Sequence, residues 1–342
     1  MEQQNWASGA GGSHEAAAAA VRRWVSLAED SPLYADFAAR IADDREMLNV
    51  VLQISNVPPL NLLFGAVQLL LTDDDHLARW YPRFTPEAAS PGPDAYAALR
   101  AFVLDREEQI VEIGCTRRTQ TNEVRRSAAI LPFVAAAVAK WDEPAHAIDI
   151  GASTGLNLCM DKYSYDYGSG VIGRDPLTLS CENRGGFATP GAVPAFASRT
   201  GLDLHPVDVD DEARVAWLEA LVWPEHLERL ERLRAAIAIR RTTEVTMVRG
   251  DATLTLPEVV AGLAPGPIVL WHTIATYQFS EDQHDSLDAA VAFIAQSREV
   301  ARVAFEPRRN ATHPGITVSL SPRSASPVAI GHSHGAWIDR PD

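Results

Sequence analysis

Cysteine is scarce in this chain of 342 residues: only Cys115, Cys159 and Cys181 occur. They form neither a paired framework nor a Cys-x-x-Cys site. This argues against a disulfide-stapled fold or a thiolate metal centre, and for free thiols in a reducing compartment. Long apolar runs are missing as well. The richest, Pro59–Leu71, is broken by Asn61 and Gln68 and is shorter than a bilayer span. The Ala16–Ala20 run has no basic segment before it and is too short and too weakly apolar for a signal core. The expectation is a soluble, cytoplasmic chain with no membrane partner. Positive charge is also in short supply, with 30 Lys and Arg against 45 Asp and Glu and a net charge of -15. Such a surface repels phosphate backbones, so nucleic acid is not an expected partner, whereas a local basic pocket for a small anion is compatible with it. No internal repeat or long low-complexity segment is present.

What is there is globular in composition, 46% hydrophobic and 22% charged, and long enough for one large or two ordinary domains. Residues 1–13 read as a frayed Gly/Ser/Gln-rich tail. Residues 14–143 read as a helical domain or lid. Val21, Trp24, Val25 and Leu27–Ala28 share one helical stripe, Ser31–Pro32 starts a helix, and Pro58–Pro59 separates Met47–Ile54 from a buried helix over Leu60–Leu71. Further helices are expected over Tyr96–Leu104 and Asn122–Lys140. The texture changes after Trp141–Pro144. Short apolar runs at Ala145–Ile150, Tyr163–Tyr167, Leu177–Cys181, Val245–Val248, Ile268–Trp271, Val300–Phe305, Ile316–Leu320 and Pro327–Ile330 alternate with helical stretches. The longest of these are Glu212–Ile239 and Asp282–Gln296. That alternation predicts an α/β domain over residues 144–342 with a mostly parallel sheet.

The most informative stretch is Asp149-Ile150-Gly151-Ala152-Ser153-Thr154-Gly155, where a strand ends, a small-residue turn follows and a helix begins. Glycines let backbone amides approach a ligand, and a helix N-terminus attracts negative or electron-rich groups. Two chemistries fit. One is a nucleoside loop like that of class I S-adenosylmethionine (SAM) methyltransferases, with Ser153 in place of the usual central glycine. The other is a Gly-x-Ser-x-Gly nucleophile elbow, with Ser153, Asp251 and His272 in the chain order of a hydrolase triad. Everything upstream of the loop reads as helix, which suits a first-strand loop better than an elbow. A non-catalytic nucleoside-binding protein is the third reading.

Several motifs in one order resemble a bacterial family known as domain of unknown function 2332. They are Arg117-Arg118-Thr119-Gln120-Thr121-Asn122-Glu123, the Gly151–Leu158 loop, Asp161–Gly168, Arg199-Thr200-Gly201-Leu202-Asp203, Trp217-Leu218 with Leu221-Val222-Trp223-Pro224, and Gly250-Asp251-Ala252. The C-terminal half of that family is similar to the Rossmann-type SAM-methyltransferase fold. The resemblance implies SAM as cofactor. Gly151, Ser153 and Gly155 would line its methionine and ribose part, and Asp251 would contact the adenine amine; Asp149, at the strand end, could accept from loop amides or face the ligand's ammonium group. An acidic residue ending the second strand would hold the ribose, either Glu182 or its rival Asp166.

Other residues invite roles of their own. His272 ends an apolar strand, where a general base would sit, and Tyr277 is its companion. Arginines crowd the segment before the Ala128–Ala139 helix although they oppose its dipole, which points to a bound anion held by Arg117 and Arg118, with Asn122 nearby. Tyr163, Tyr165 and Tyr167 alternate, so Tyr165 is a candidate substrate wall or one rung of a packed ladder. His332 and His334 could join Glu306 or His272 at a metal, although two histidines at that spacing more simply mark a surface loop, and no metal is expected. The resulting expectation is SAM-dependent methyl transfer to a small polar or anionic metabolite.

Overall fold

A computed structural model describes residues 13–26, 28 and 30–341. The expected tail over residues 1–13 and the stripe position Leu27 therefore lie outside the described residues, Ser13 excepted. The chain divides into two compact units, one running through Thr121 and resuming over Glu212–Glu231, the other comprising Asn122–Asp211 and the chain from Arg232 onward. The division thus falls at Thr121/Asn122, and the helix expected after Asn122 goes with the sheet.

The first unit is helical: α1 (His14–Val25), α2 (Pro32–Ile41), α3 (Arg45–Gln53), α4 (Pro59–Leu70), α5 (Pro93–Asp105) and α6 (Glu107–Thr116), with α8 (Glu212–Ala220) returning to it from later in the chain. Ser31 caps α2 by accepting the Tyr34 amide, with Pro32 at the first helical position. Aromatic side chains build the core, as where Tyr34 stacks on Phe64 with ring centroids 4.2 Å apart. The returning segment is bound by polar groups that would otherwise be orphaned. Gln68, buried in α4, donates to the carbonyls of Ala220, the last residue of α8, and Val222 just beyond it. Glu225 accepts from the Ser31 hydroxyl and the Leu33 amide.

The second unit is mixed α/β around a nine-stranded, mostly parallel sheet. Helix α7 (Arg126–Val138) leads into β1 (Ala145–Ile150). A small sheet of β2 (Ser164–Asp166), β3 (Val171–Ile172) and β4 (Thr178–Ser180) follows, then β5 (Glu182–Asn183) and β6 (Phe196–Asp203). Next come α9 (Leu227–Thr242), which belongs to this unit from Arg232 onward, β7 (Thr246–Arg249), α10 (Ala252–Ala261), β8 (Ile268–Thr273), α11 (Glu281–Ile294) and β9 (Val300–Glu306). The chain closes with β10 (Gly315–Val318), β11 (Ala329–Gly331) and β12 (Trp337–Asp339). The sheet order is β5-β12-β11-β10-β9-β8-β1-β6-β7, and β7, β6, β1, β8 and β9 run parallel.

Strands β1 and β8 are buried at every position, as central parallel strands covered on both faces must be. On one face Ile148, Ile150, Leu202 and Leu270 pack with Leu256 of α10 and Leu287 and Val291 of α11. Helix α7 packs against β8 and β9. From β1 the chain builds outward to β6 and β7, then returns to build β8 and β9 on the other side. The strand order therefore reverses between β1 and β8, and a crevice at the carboxyl ends of such strands is where ligands bind in open α/β sheets.

Candidate functional site

The loop after β1 turns through Gly151 and Gly155, with φ of 76° and 79°, and through Ser153, with φ of 52°. A Cβ on Gly151 would collide with the Cβ of Ala275, in the loop after β8, so only glycine fits where these two loops meet. Gly201 in β6 serves a similar end, because a Cβ there would stand 2.8 Å from that of Ala152. The loop is pinned by polar contacts on several sides. The Ser153 amide donates to Asp203 Oδ2 at 2.8 Å, and Arg240 Nε donates to the Thr154 carbonyl. Asn122 bridges two side chains, donating to Ser153 Oγ at 3.1 Å and accepting from Thr154 Oγ1 at 2.7 Å.

Two carboxylates stand at this edge. Asp203 ends β6, the parallel neighbour of β1, and its Oδ1 also accepts the His205 amide at 2.7 Å. The following residue, Leu204, is 56% exposed beside it in sequence. Asp149 is 2% exposed and makes no ion pair among the described residues. Burial drives its carboxyl well above the usual range. The facing Trp271 indole draws it back down, the Asp203 charge raises it further, and Arg126 lowers it. A cation brought to this position would favour the ionised form.

The loop after β8 closes the other side. Ile274 has φ of 51°, costly for a β-branched side chain. The conformation is held because the Glu306 carboxylate, at the end of β9, collects the amides of Ala275, Thr276 and Tyr277 at 3.0 to 3.3 Å. Glu306 also takes the His272 Nδ1 at 2.7 Å. Burial pushes the Glu306 carboxyl up, but the His272 hydrogen bond and the Ala275 and Thr276 amides hold it below the ordinary value.

A family model described as an uncharacterized protein conserved in bacteria (DUF2332) matches residues 18–340. The chain belongs to that family. No curated protein matches it. The match spans both compact units, so the helical unit is as much part of the family as the sheet.

The structure brings Asp149, Gly151, Ser153 and Gly155 to one edge of the family's sheet, and Asp251 follows β7 at the same edge. There Asp251 caps α10, with Oδ1 accepting from the Thr253 amide and hydroxyl. Neither Glu182 nor Asp166 stands beside β1, and the expectation that one of them ends the second strand is corrected. Glu182 is 65% exposed on β5, with five strands between it and β1, roughly 29 Å at ordinary strand spacing. Asp166 lies in the small sheet, where Oδ1 accepts the Gly168 amide. The acidic residue ending the strand beside β1 is Asp203. Its strand, Phe-Ala-Ser-Arg-Thr-Gly-Leu-Asp, lacks the apolar run that marks the others. The usable signal was the Gly201-Leu202-Asp203 ending, which mirrors a strand running into a ligand edge.

His272 is placed for structure. It is 2% exposed, its Nδ1 faces Glu306, and its Nε2 accepts from Arg302 Nε at 3.1 Å. Arginine can only donate, so Nε2 is the acceptor nitrogen and Nδ1 carries the proton. Burial lowers the imidazole's proton affinity. Both nitrogens are occupied, so the ring has no position from which to take a substrate proton, which corrects the general-base expectation. The hydrolase triad is not assembled either. The Ser153 hydroxyl meets Asn122, Asp251 caps a helix, His272 lies between Glu306 and Arg302, and no hydrogen bond joins any two of the three.

The tyrosines form a ladder rather than a substrate wall. Tyr163, Tyr165 and Tyr167 are buried and donate to the carbonyls of Leu156, Met160 and Ala128. Burial raises the Tyr165 hydroxyl well above its ordinary range, so it stays a donor. Tyr277 is partly open to solvent in the turn after β8, and burial of its hydroxyl and the Glu306 charge both raise it.

The arginine cluster divides. Arg125 and Arg126 are used on backbone carbonyls. Arg125 Nε reaches His334, while Arg126 reaches Ser333 through Nε and Thr273 through Nη1. Arg117 and Arg118 belong to the helical unit, where their carbonyls accept from Asn56 and Trp217 and their side chains make no ion pair among the described residues. His332 and His334 occupy the turn between β11 and β12. Among the described residues no group of three His, Cys, Asp or Glu is placed to hold a metal ion. No described helix is long and apolar enough to cross a membrane.

Proposed function

We propose that this chain binds S-adenosylmethionine at the carboxyl edge of β6, β1 and β8 and transfers its methyl group to a small polar or anionic metabolite. The observation that carries the reading is the pairing of Asp203 with the Ser153 amide. It sets an acidic residue at the end of the second parallel strand against the turn that ends the first. The strand order supports the same reading. Numbered by appearance, the five parallel strands lie 3-2-1-4-5, as in a Rossmann-type sheet.

The residues present fit such a cofactor. Gly151 and Gly155 set the positive-φ turn at the strand end, and each Asp203 oxygen keeps a lone pair for a ribose hydroxyl beyond the amide it accepts. Leu204 offers an exposed apolar surface next to that carboxylate, suited to a base. Asp149, buried and without an ion-pair partner, would gain from the cofactor's ammonium or sulfonium charge. Asp251 is the candidate contact for the adenine amine. When bound, the cofactor supplies an electrophilic methyl group on sulfur. The chain's own work is to orient it, exclude water and receive the acceptor's proton.

A thermal-shift series separates this reading from a general nucleotide site. SAM and S-adenosylhomocysteine (SAH) raise Tm with concentration, whereas ATP and NAD do not. Equal shifts from all four would point to a non-catalytic nucleoside binder. No shift from SAM or SAH would count against the reading.

A further inference from the structure

With His272 enclosed, the edge needs another proton acceptor. The sheet topology supplies one. Strand β10 runs antiparallel to β9, β11 to β10 and β12 to β11, which brings the β11–β12 turn back to the edge where β8 and β9 end. One buried guanidinium confirms the proximity. Arg126 donates to the Thr273 carbonyl at the end of β8 and to the Ser333 carbonyl in that turn. The same guanidinium acts on the carboxyl of Asp149 and on the hydroxyl of Tyr277.

The turn is built from its own histidines. The His332 Nδ1 accepts the His334 amide at 3.1 Å and the His332 carbonyl accepts the Gly335 amide at 2.7 Å, so His332 shapes the turn. His334 plays a different part. Its side chain is 33% exposed, and its Nδ1 lies 3.4 Å from Oε2 of Glu123, whose side chain is buried. Glu123 is itself fixed, with Oε1 accepting the Arg125 amide, while Arg125 Nε holds the His334 carbonyl. At this ion-pair separation the buried carboxylate stabilises the partly exposed imidazole when it is protonated.

We propose that His334 is the general base of the methyl transfer, with Glu123 as its positioning residue; this rests on the methyltransferase reading above. His334 Nε2 takes the proton that an O–H or N–H acceptor releases as its electron pair bonds to the methyl carbon and the carbon–sulfur pair leaves with sulfur. The resulting imidazolium faces Glu123 through Nδ1–H.

Two readouts test this on the full chain. Nitrogen-15 imidazole NMR of the protein alone should show His334 as the Nδ1–H tautomer, and Glu123→Gln should abolish that preference. Transfer of tritium from methyl-labelled SAM to the small-molecule fraction of a bacterial extract should fall at least 100-fold in His334→Gln and about 10-fold in Glu123→Gln. The SAH dissociation constant should stay within twofold in both, which shows that the variants fold and that the cofactor site is intact. An Nε2–H tautomer in the wild type, or undiminished transfer by His334→Gln, overturns the assignment and leaves the methyltransferase reading standing. A wild type that binds neither SAM nor SAH, or binds them and transfers no label, overturns the methyltransferase reading and the base with it.

Discussion

The amide of Ser153 donates to the carboxylate of Asp203 at 2.8 Å, tying the turn after the first parallel strand to the end of the second. This one bond couples the shape of the turn to the acid beside it. Asp203→Asn keeps the volume and one acceptor oxygen but removes the charge. The expected result is a loss of SAH affinity of about 10-fold or more with a small change in Tm, since charge-assisted hydrogen bonds contribute about 1.5–3 kcal/mol. Calorimetry and a melt on the same sample check it.

Ser153 itself is dispensable as a side chain. Its φ of 52° costs a non-glycine residue about 1–2 kcal/mol, which offsets the Asn122 contact it makes. Ser153→Gly should keep SAH binding and change stability by about 1 kcal/mol or less. Fluorophosphonate should leave the wild-type serine unlabelled, because among the described residues no histidine hydrogen-bonds to its hydroxyl; labelling would restore the hydrolase reading.

Asp149 carries a cost in the ligand-free protein. Its carboxyl is raised in the fold, so the native state holds the proton over a pH range in which the unfolded chain has lost it. Stability therefore falls as pH rises from the unfolded value toward the native one, and the penalty is complete above it. Asp149→Asn should raise Tm near neutral pH by roughly 2–4 °C and weaken cofactor binding. A Tm that drops would contradict the assignment.

His272 and Glu306 should titrate in the opposite sense. Both are depressed in the fold, so unfolding takes up protons, and their stabilisation is present above the unfolded values and lost as pH falls below them. A melt series from pH 8 to about pH 4 should show Tm declining on the acid side, less steeply in His272→Gln. His272→Ala should cost about 1–3 kcal/mol for each stranded partner, Arg302 and Glu306, without abolishing SAH binding.

Periodicity made the central strands legible. Ala145–Ile150, interrupted by His146 and Asp149, and Ile268–Trp271 are largely apolar because both faces of their strands are covered, and the Gly151 turn stands out between strand and helix. Strand β6 carries no such signature because Arg199, Thr200 and Gly201 break its apolar pattern. Arg199 is there to pair with buried Asp161, and Gly201 to let the loop approach. Without an apolar run at β6, Glu182 after Leu177–Cys181 reads as the acid of the second strand. His272 misled for a related reason. A histidine at a strand end looks catalytic until Arg302 and Glu306, 30 and 34 residues away, are seen to take both of its nitrogens. Those are tertiary contacts with no local sequence signature. The β11–β12 turn reads locally as a surface loop, and only the three antiparallel pairings after β9 bring it to the ligand edge.

The central claim is that Asp203, Asp149 and the Gly151–Gly155 turn form a SAM site. The most direct measurement is calorimetric titration of SAH into the wild type and into Asp203→Ala. Micromolar binding by the wild type, lost in the variant while its melting transition remains cooperative, is the predicted result. No heat of binding with the wild type, or equal affinity in the variant, would contradict it.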